Sequence, residues 1–106
     1  MSKKPYFKVL RKDLTSLGLL GARRIRYRRR GWTTPGEPIS NHPRKGGGLW
    51  VLKRRSDAKQ VKKRMRKEYR VSTRIFTCRI GKKIPKTETS YRVKTDKVRL
   101  TEEISV

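Results

Sequence analysis

The stretch that decides the fold is S-D-A-K-Q-V-K-K-R-M-R-K-E-Y-R, residues 56–70. At 100° per residue, its apolar side chains fall within one narrow stripe, whereas most of its lysines and arginines spread over the rest of the circumference. The pattern predicts an amphipathic helix with a cationic outer face. The apolar stripe consists of Ala58, Val61, Met65 and Tyr69.

The start of this helix is marked by Asp57, which Gln60 follows three residues later. The carboxylate can accept a hydrogen bond from a free backbone N–H of the first turn while the glutamine side chain reaches back, an arrangement known as a capping box. We therefore predict that Asp57 caps the helix.

The outer face of the helix carries more like charge than helix stability explains. Cations spaced four residues apart repel each other by a few tenths of a kcal/mol per pair. A polyanion that binds this face would account for them. The predicted contacts are Lys59, Lys63, Arg66, Lys67 and Arg70.

The charge of the whole chain is extreme for its length. Its 106 residues include 32 Lys or Arg against 8 Asp or Glu, which gives a formal charge of +24, and only 32% of them are hydrophobic. The length predicts one small basic domain over 1–106, with a basic tail at 1–5. Full disorder is the competing interpretation of such a composition, but the aromatic residues lie inside patterned segments, which favours a folded domain.

Segments that alternate as strands do lie on both sides of the helix. Residues 49–53 and 73–80 predict a strand–helix–strand unit, with Phe76 and Cys78 on one face of the second strand. Residues 6–10 predict a first strand. We expect an α+β fold in which a small mixed or antiparallel sheet of about 4–5 strands packs against one main amphipathic helix.

Two other segments are less regular. Residues 13–22 are apolar and predict one or two helical turns that begin at Asp13 or Thr15. In 91–104 the apolar positions change from odd to even numbers, which predicts a turn or bulge near Thr95 and either a final hairpin or one bent strand.

An arginine-rich segment, R-R-I-R-Y-R-R-R, occupies residues 23–30. In an extended backbone Ile25 and Tyr27 project to one face and alternate arginines to the other, about 6.6–6.8 Å apart. Arginine suits bidentate phosphate contact, so the segment predicts a phosphate ladder; a charged edge strand that blocks aggregation is the alternative. The ladder consists of Arg24, Arg26, Arg28 and Arg30.

A long basic loop is predicted at residues 31–48, which hold three of the five prolines and five of the eight glycines. Arg44 and Lys45 stand beside three glycines, whose backbone amides suit phosphate; a flexible hinge is the alternative. Trp32 and Tyr27 are candidate residues for stacking on bases, although a tryptophan that closes the end of a small core is more common.

The residue inventory points away from metal and cofactor chemistry. Cys78 is the only cysteine and His42 the only histidine, so no zinc ligand set and no disulfide framework is expected. Cys78 is interpreted as a small buried residue. No run approaches the ~18 apolar residues of a spanning helix, and we expect a cytoplasmic protein with no membrane contact.

In size, charge and mixed α+β pattern the chain resembles the small basic proteins of ribosomes, a resemblance of composition rather than of motifs. We predict a nucleic-acid-binding protein, not an enzyme, that contacts phosphates. RNA is preferred over DNA because cations occur all along the chain, as in proteins embedded in folded RNA. A larger ribonucleoprotein assembly is then the expected partner.

Three alternatives remain open at this point. The first is a DNA-binding protein of the phage or chromatin type. The second is a small enzyme or inhibitor acting on a nucleic acid or nucleotide, and the third is a protein that binds an acidic partner. The candidates for catalysis are His42, Tyr27, Tyr91, Glu102 and Glu103.

The excess charge predicts that salt stabilises the free protein, because like charges repel one another in the compact state. Raising the ionic strength from about 0.01 to about 0.15 M shortens the screening length from ~30 Å to ~8 Å. We expect the midpoint of thermal unfolding, followed by circular dichroism, to rise over this range. A midpoint that falls would contradict the prediction.

Overall fold

The computed structural model describes residues 5–17, 24–36 and 48–105. In these ranges six strands and one helix form an α+β fold, the predicted class, with one strand more than the expected upper number. The strands form one sheet in the order β2-β6-β4-β1-β3-β5, with antiparallel neighbours throughout. The elements are β1 (Tyr6–Arg11), β2 (Trp32–Thr33), β3 (Leu49–Leu52), α1 (Arg55–Tyr69), β4 (Thr73–Ile80), β5 (Arg92–Thr95) and β6 (Val98–Ile104).

The centre of the fold is the predicted strand–helix–strand unit, which is confirmed. β1 lies between β3 and β4 and is antiparallel to both, with Phe7 opposite Leu52 on one side and Thr77 on the other. β3 and β4 therefore run in the same direction, and α1 connects them in the manner of a split βαβ unit.

The sheet buries apolar side chains on both faces. On the outer face, Phe7, Val9 and Ile75 of the sheet pack against Ala58 of α1. The inner face carries a larger group, the inner cluster, which the sheet itself encloses. The inner cluster consists of Leu10, Tyr27, Leu49, Val51, Phe76, Cys78, Val93, Val98 and Leu100.

β5 and β6 show that the sheet curls. Only two residues, Asp96 and Lys97, separate them, yet they lie four positions apart in the strand order. Four strand spacings of a flat sheet amount to about 19 Å, whereas such a connection reaches at most about 11 Å. The predicted irregularity near Thr95 is therefore a bend in one chain segment, and the alternative of a final hairpin is wrong.

Two predictions for the segments around β1 and β2 need correction. Asp13 accepts hydrogen bonds from the backbone and hydroxyl of Thr15 at 3.1 and 2.6 Å. The chain therefore turns at residues 12–14 and forms a bridge at Thr15 instead of starting a helix; positions 18–22 lie outside the described residues. Residues 24–30 of the arginine segment form a single bridge, Thr15 to Arg26, and no full strand. Its alternation is confirmed, because Tyr27 faces inwards.

The apolar side of α1 is largely as predicted. Ala58 and Met65 are buried and Val61 is half-buried, but Tyr69 is 48% exposed and lies outside the cluster under the helix. The prediction that Tyr69 joins the buried stripe is therefore wrong, since the last helical residue extends past the apolar face of the sheet.

The predicted capping box is also wrong. The helix begins at Arg55, and the residue before it, Arg54, makes no side-chain cap. Asp57 is thus the third helical residue, and its carboxylate accepts a hydrogen bond from the Arg54 Nε at 3.0 Å. An acidic residue in the first turn still interacts favourably with the helix dipole.

The C-terminal end of α1 is closed by Arg70, whose backbone is left-handed with φ 55°. The Arg70 N–H donates to the Arg66 carbonyl and the Val71 N–H to the Met65 carbonyl, both at 3.1 Å, which is a Schellman arrangement. Glycine is the usual residue here, because a β-carbon in this conformation costs about 1 kcal/mol.

We expect Arg70→Gly to be more stable than Arg70→Ala by about 1 kcal/mol, because only glycine relieves the backbone strain while both remove the cation. Urea unfolding of the two variants at matched ionic strength measures the difference. Equal stabilities would show that the left-handed conformation carries no strain.

Candidate nucleic-acid interface

α1 separates its charges between two flanks. Four of the predicted contacts lie within an arc of about 100° on the helix, and a fifth follows at its C-terminal end. All five side chains are exposed, and none forms an ion pair in the part of the chain that the structure describes. We call these residues the cationic stripe: Lys59, Lys63, Arg66, Lys67 and Arg70.

The acidic residues of α1 lie on the other flank and bind other cations. Asp57 pairs with Arg54 at 3.0 Å, and Glu68 pairs with Arg64 at 3.2 Å, one helical turn away. Both acids of the helix are thereby engaged by arginines that are not in the stripe. The stripe keeps its full positive charge.

The arginine segment lies on the opposite side of the sheet from α1. Ile25 packs against the inner cluster and Tyr27 belongs to it, whereas α1 covers the outer face. The four arginines of the predicted ladder are exposed, but the structure does not bring them onto one surface with the cationic stripe. These arginines are Arg24, Arg26, Arg28 and Arg30. The remaining predicted contacts, Arg44 and Lys45, lie outside the described residues.

A third cationic surface was not predicted from the sequence. On the outer face of the sheet, beyond α1, Trp32 on β2 lies opposite Arg99 on β6, and Arg99 lies opposite Arg79 on β4. The Lys97 Nζ is 4.5 Å from the centroid of the Trp32 ring. We call these four residues the sheet platform. The alternation in 73–80 predicted that Arg79 and Cys78 project to different faces of β4. Only the strand pairing shows which residues lie next to Arg79.

Two cavities have basic linings. One, of about 170 Å³, lies beside the end of α1 and is lined by Lys12, Lys62 and Arg66 together with Val71, Ser72 and Thr73. The other, of about 330 Å³, contains Glu88. That carboxylate hydrogen-bonds the Lys53 ammonium and, at 3.4 Å, that of Lys83, and these bonds hold the pKa of Glu88 below its usual range.

The residues considered for catalysis are scattered. Glu103 binds Arg74 at 2.6 Å, and the pKa of Glu103 is lowered by that hydrogen bond. Tyr91 and Glu102 are exposed, and His42 lies outside the described residues. Within residues 5–17, 24–36 and 48–105, no cluster of acidic, histidine or cysteine side chains could hold a metal ion. No helix in these ranges is long and apolar enough to cross a membrane.

Comparison with known proteins gives no match, whether to a family model, to a curated protein or to a solved structure.

Three titratable groups lie at the inner cluster: Tyr27 and Cys78 belong to it, and the half-buried Lys8 lies beside them. The Lys8 Nζ donates to the Trp50 carbonyl at 2.6 Å and lies 5.0 Å from the centroid of the Tyr27 ring. Removal from water lowers the pKa of Lys8 to about 8 and raises the pKa of Cys78 to about 12. Cys78 is therefore a neutral buried thiol at pH 7, as its pattern suggested.

Tyr27 is only 2% exposed. Its burial raises the pKa of the phenol and leaves no ring face accessible to a base. The expectation that Tyr27 stacks on bases is therefore wrong.

We expect the stability of the protein to depend on pH through Lys8. The unfolded chain holds the Lys8 proton up to about pH 10.5, whereas the folded chain releases it near pH 8. Between these values the unfolded state binds more protons, so the free energy of unfolding rises with pH. From about pH 7.5 to about pH 9.5 this gain amounts to roughly 1–2 kcal/mol.

Lys8→Met removes the titrating group. Urea unfolding of the unmodified chain and of this variant, at several pH values and constant ionic strength, gives the difference between their free energies of unfolding. The change of this difference with pH measures the gain, because the contributions of other titrating groups cancel. Parallel stability curves for the two proteins would contradict the buried position of the Lys8 ammonium.

Proposed function

We propose that this protein binds nucleic acid through the phosphate backbone, without catalysis, and that RNA within a ribonucleoprotein assembly is its preferred ligand. The observation that carries the proposal is the separation of charge on α1. The acids of the helix pair with Arg54 and Arg64, and the cationic stripe has no acidic partner in the described residues. A polyanion supplies the missing counter-charges.

The dimensions of the cationic stripe suit a phosphate backbone. Its eleven residue steps from Lys59 to Arg70 span about 16 Å at the helical rise. A duplex carries one charge per ~1.7 Å of its axis, so a stretch of equal length presents about nine phosphates. Such a stretch carries more charge than the five cations of the stripe, and each contact that forms releases a condensed counterion, which favours binding.

Arg70 adds an independent argument. Glycine at this position would relieve a backbone strain of about 1 kcal/mol, yet the chain has a cation here, at the end of the stripe. The helix dipole offsets part of this strain, and a phosphate contact supplies a further reason for a cation at this position.

The placement of the cations favours folded RNA over a straight DNA duplex. The cationic stripe and the arginine segment lie on opposite faces of the sheet, so one rigid duplex contacts only one of them. An RNA that folds around the protein engages both, and proteins embedded in RNA recognise its shape and backbone in this way. A DNA that bends around the protein is the alternative ligand.

We expect the triple variant Lys59→Gln, Lys63→Gln, Lys67→Gln to bind a labelled RNA stem-loop about 10–100 times more weakly than the unmodified chain at near-physiological salt. The slope of log affinity against log salt should become shallower by roughly 2–3, because each lost phosphate contact removes ~0.7–0.9 from it. Fluorescence anisotropy over a series of KCl concentrations measures both quantities.

The matched control removes the same number of cations from ion pairs: Lys53→Gln, Arg54→Gln and Arg64→Gln. We expect it to weaken binding less than about threefold, since these cations already have acidic partners. Equal losses in the two variants would mean that only net charge matters. Tighter binding of a DNA stem-loop of the same sequence would favour the DNA alternative, and binding of neither would refute the proposed function.

A further inference from the structure

The sheet platform is the part of the outer face that α1 leaves uncovered. α1 packs on β4, β1 and β3, whereas β6 and β2 continue the sheet beyond it. Because residues opposite each other on antiparallel strands project to the same face, Trp32, Arg99 and Arg79 form a row across three strands. The row brings Trp32, from the N-terminal half of the chain, next to two arginines of the C-terminal half.

The two arginines of this row are an unfavourable pair in isolation. Directly opposite residues have β-carbons about 4.5–5.5 Å apart, and like charges at that distance are destabilising. Neither Arg79 nor Arg99 forms an ion pair in the described residues. Of the nearby acids, Glu103 pairs with Arg74 and the Asp96 carboxylate accepts the Lys82 N–H at 2.8 Å. Glu102 is exposed and forms no ion pair with either arginine in the described residues. Two anionic groups placed over the pair would turn this repulsion into attraction.

The aromatic member of the row is held in place yet accessible. Trp32 is 36% exposed and belongs to neither apolar cluster of the described residues. Its neighbour Thr33 is buried and accepts the Arg28 N–H at 2.8 Å, which fixes the short strand. The Lys97 ammonium lies 4.5 Å from the ring centroid, at cation–π distance. A large aromatic ring beside cations is the surface on which unpaired bases stack.

The residues beside the row have short side chains. Thr77 on β4 and Thr101 on β6 follow the arginine pair along the same strands, and their hydroxyls hydrogen-bond each other at 2.7 Å. Both side chains are short and satisfy each other's hydroxyl groups, so they leave space beside the arginine pair for an extended chain.

We propose that the sheet platform binds a single-stranded stretch of nucleic acid, with one base stacked on Trp32 and the adjacent phosphates on Arg99 and Arg79. This inference rests on the proposed nucleic-acid function and adds the form of the ligand. Single-strandedness follows from the chemistry, because the faces of duplex bases are already stacked on one another, whereas an unpaired base offers a free face. The platform therefore engages loops or ends, while the cationic stripe binds backbone of any form.

The test follows the fluorescence of Trp32 in a Trp50→Phe background, in which it is the only tryptophan. The probes are a single-stranded oligouridylate, an oligothymidylate of equal length, an RNA duplex and inorganic tripolyphosphate. We expect the two single strands to quench Trp32 strongly, and the duplex and tripolyphosphate to leave its emission nearly unchanged. Equal quenching by the two single strands supports the inference, since stacking does not read the sugar.

Affinity measurements on variants separate stacking from charge. Trp32→Leu should weaken oligouridylate binding about 5–100-fold and duplex binding less than twofold, and Trp32→Phe should restore most of the loss. Tyr91→Leu is the matched control, because Tyr91 is another exposed aromatic residue, 43% exposed, outside the platform. It should leave oligouridylate affinity within twofold.

A second variant distinguishes loss of binding from loss of folding. Arg79→Gln with Arg99→Gln relieves the like-charge pair, so the thermal midpoint should not fall, while oligouridylate affinity drops about tenfold or more. Unchanged affinity in Trp32→Leu, or equal quenching by the duplex, would overturn the platform and leave the proposed function intact if the stripe variant still loses binding. Failure of the unmodified chain to bind any nucleic acid would overturn both.

Discussion

The structure depends on burying both faces of one small sheet. The outer face packs Phe7, Val9 and Ile75 under α1, and the inner face encloses a cluster around Leu10 and Phe76. A chain with 32% hydrophobic residues has little apolar surface to spare, and the described cations lie at least partly exposed, apart from the buried Lys94. The cations consequently collect where no layer covers the sheet or helix: on the exposed flank of α1, along the arginine segment and on the sheet platform.

The few acidic residues determine which cations remain unpaired. Exposed ion pairs contribute at most about 1 kcal/mol each, so the pairs of Arg54, Arg64 and Arg74 do little for the stability of the fold. Their greater effect is on charge distribution, because they neutralise cations away from the cationic stripe and the sheet platform. The inner cluster shows the opposite arrangement: Lys8 is half-buried beside it, and the pKa of Lys8 is lowered to about 8 by loss of water around the ammonium, without an acidic partner.

Local periodicity predicted the elements but not all of their ends. The helix over 56–70 lies one residue from its position in the structure, because the spacing of Ala58, Val61 and Met65 is a property of the helix itself. The capping box and the burial of Tyr69 were wrong, since the ends of a helix depend on how it leaves the adjoining strands. The turn at residues 12–14 was missed because the Asp13–Thr15 hydrogen bonds compete with helix formation.

The sequence by itself determined the α+β class, the amphipathic helix, the inward alternation of Ile25 and Tyr27, and the charge excess on which the proposed function rests. Only the tertiary structure decided which cations share a surface. It placed the arginine segment and α1 on opposite faces, buried Tyr27, and brought Trp32, Arg79 and Arg99 together. The reason is that strand order and register arise from hydrogen bonds between residues distant in the chain, and such pairings leave no periodic signal in the sequence.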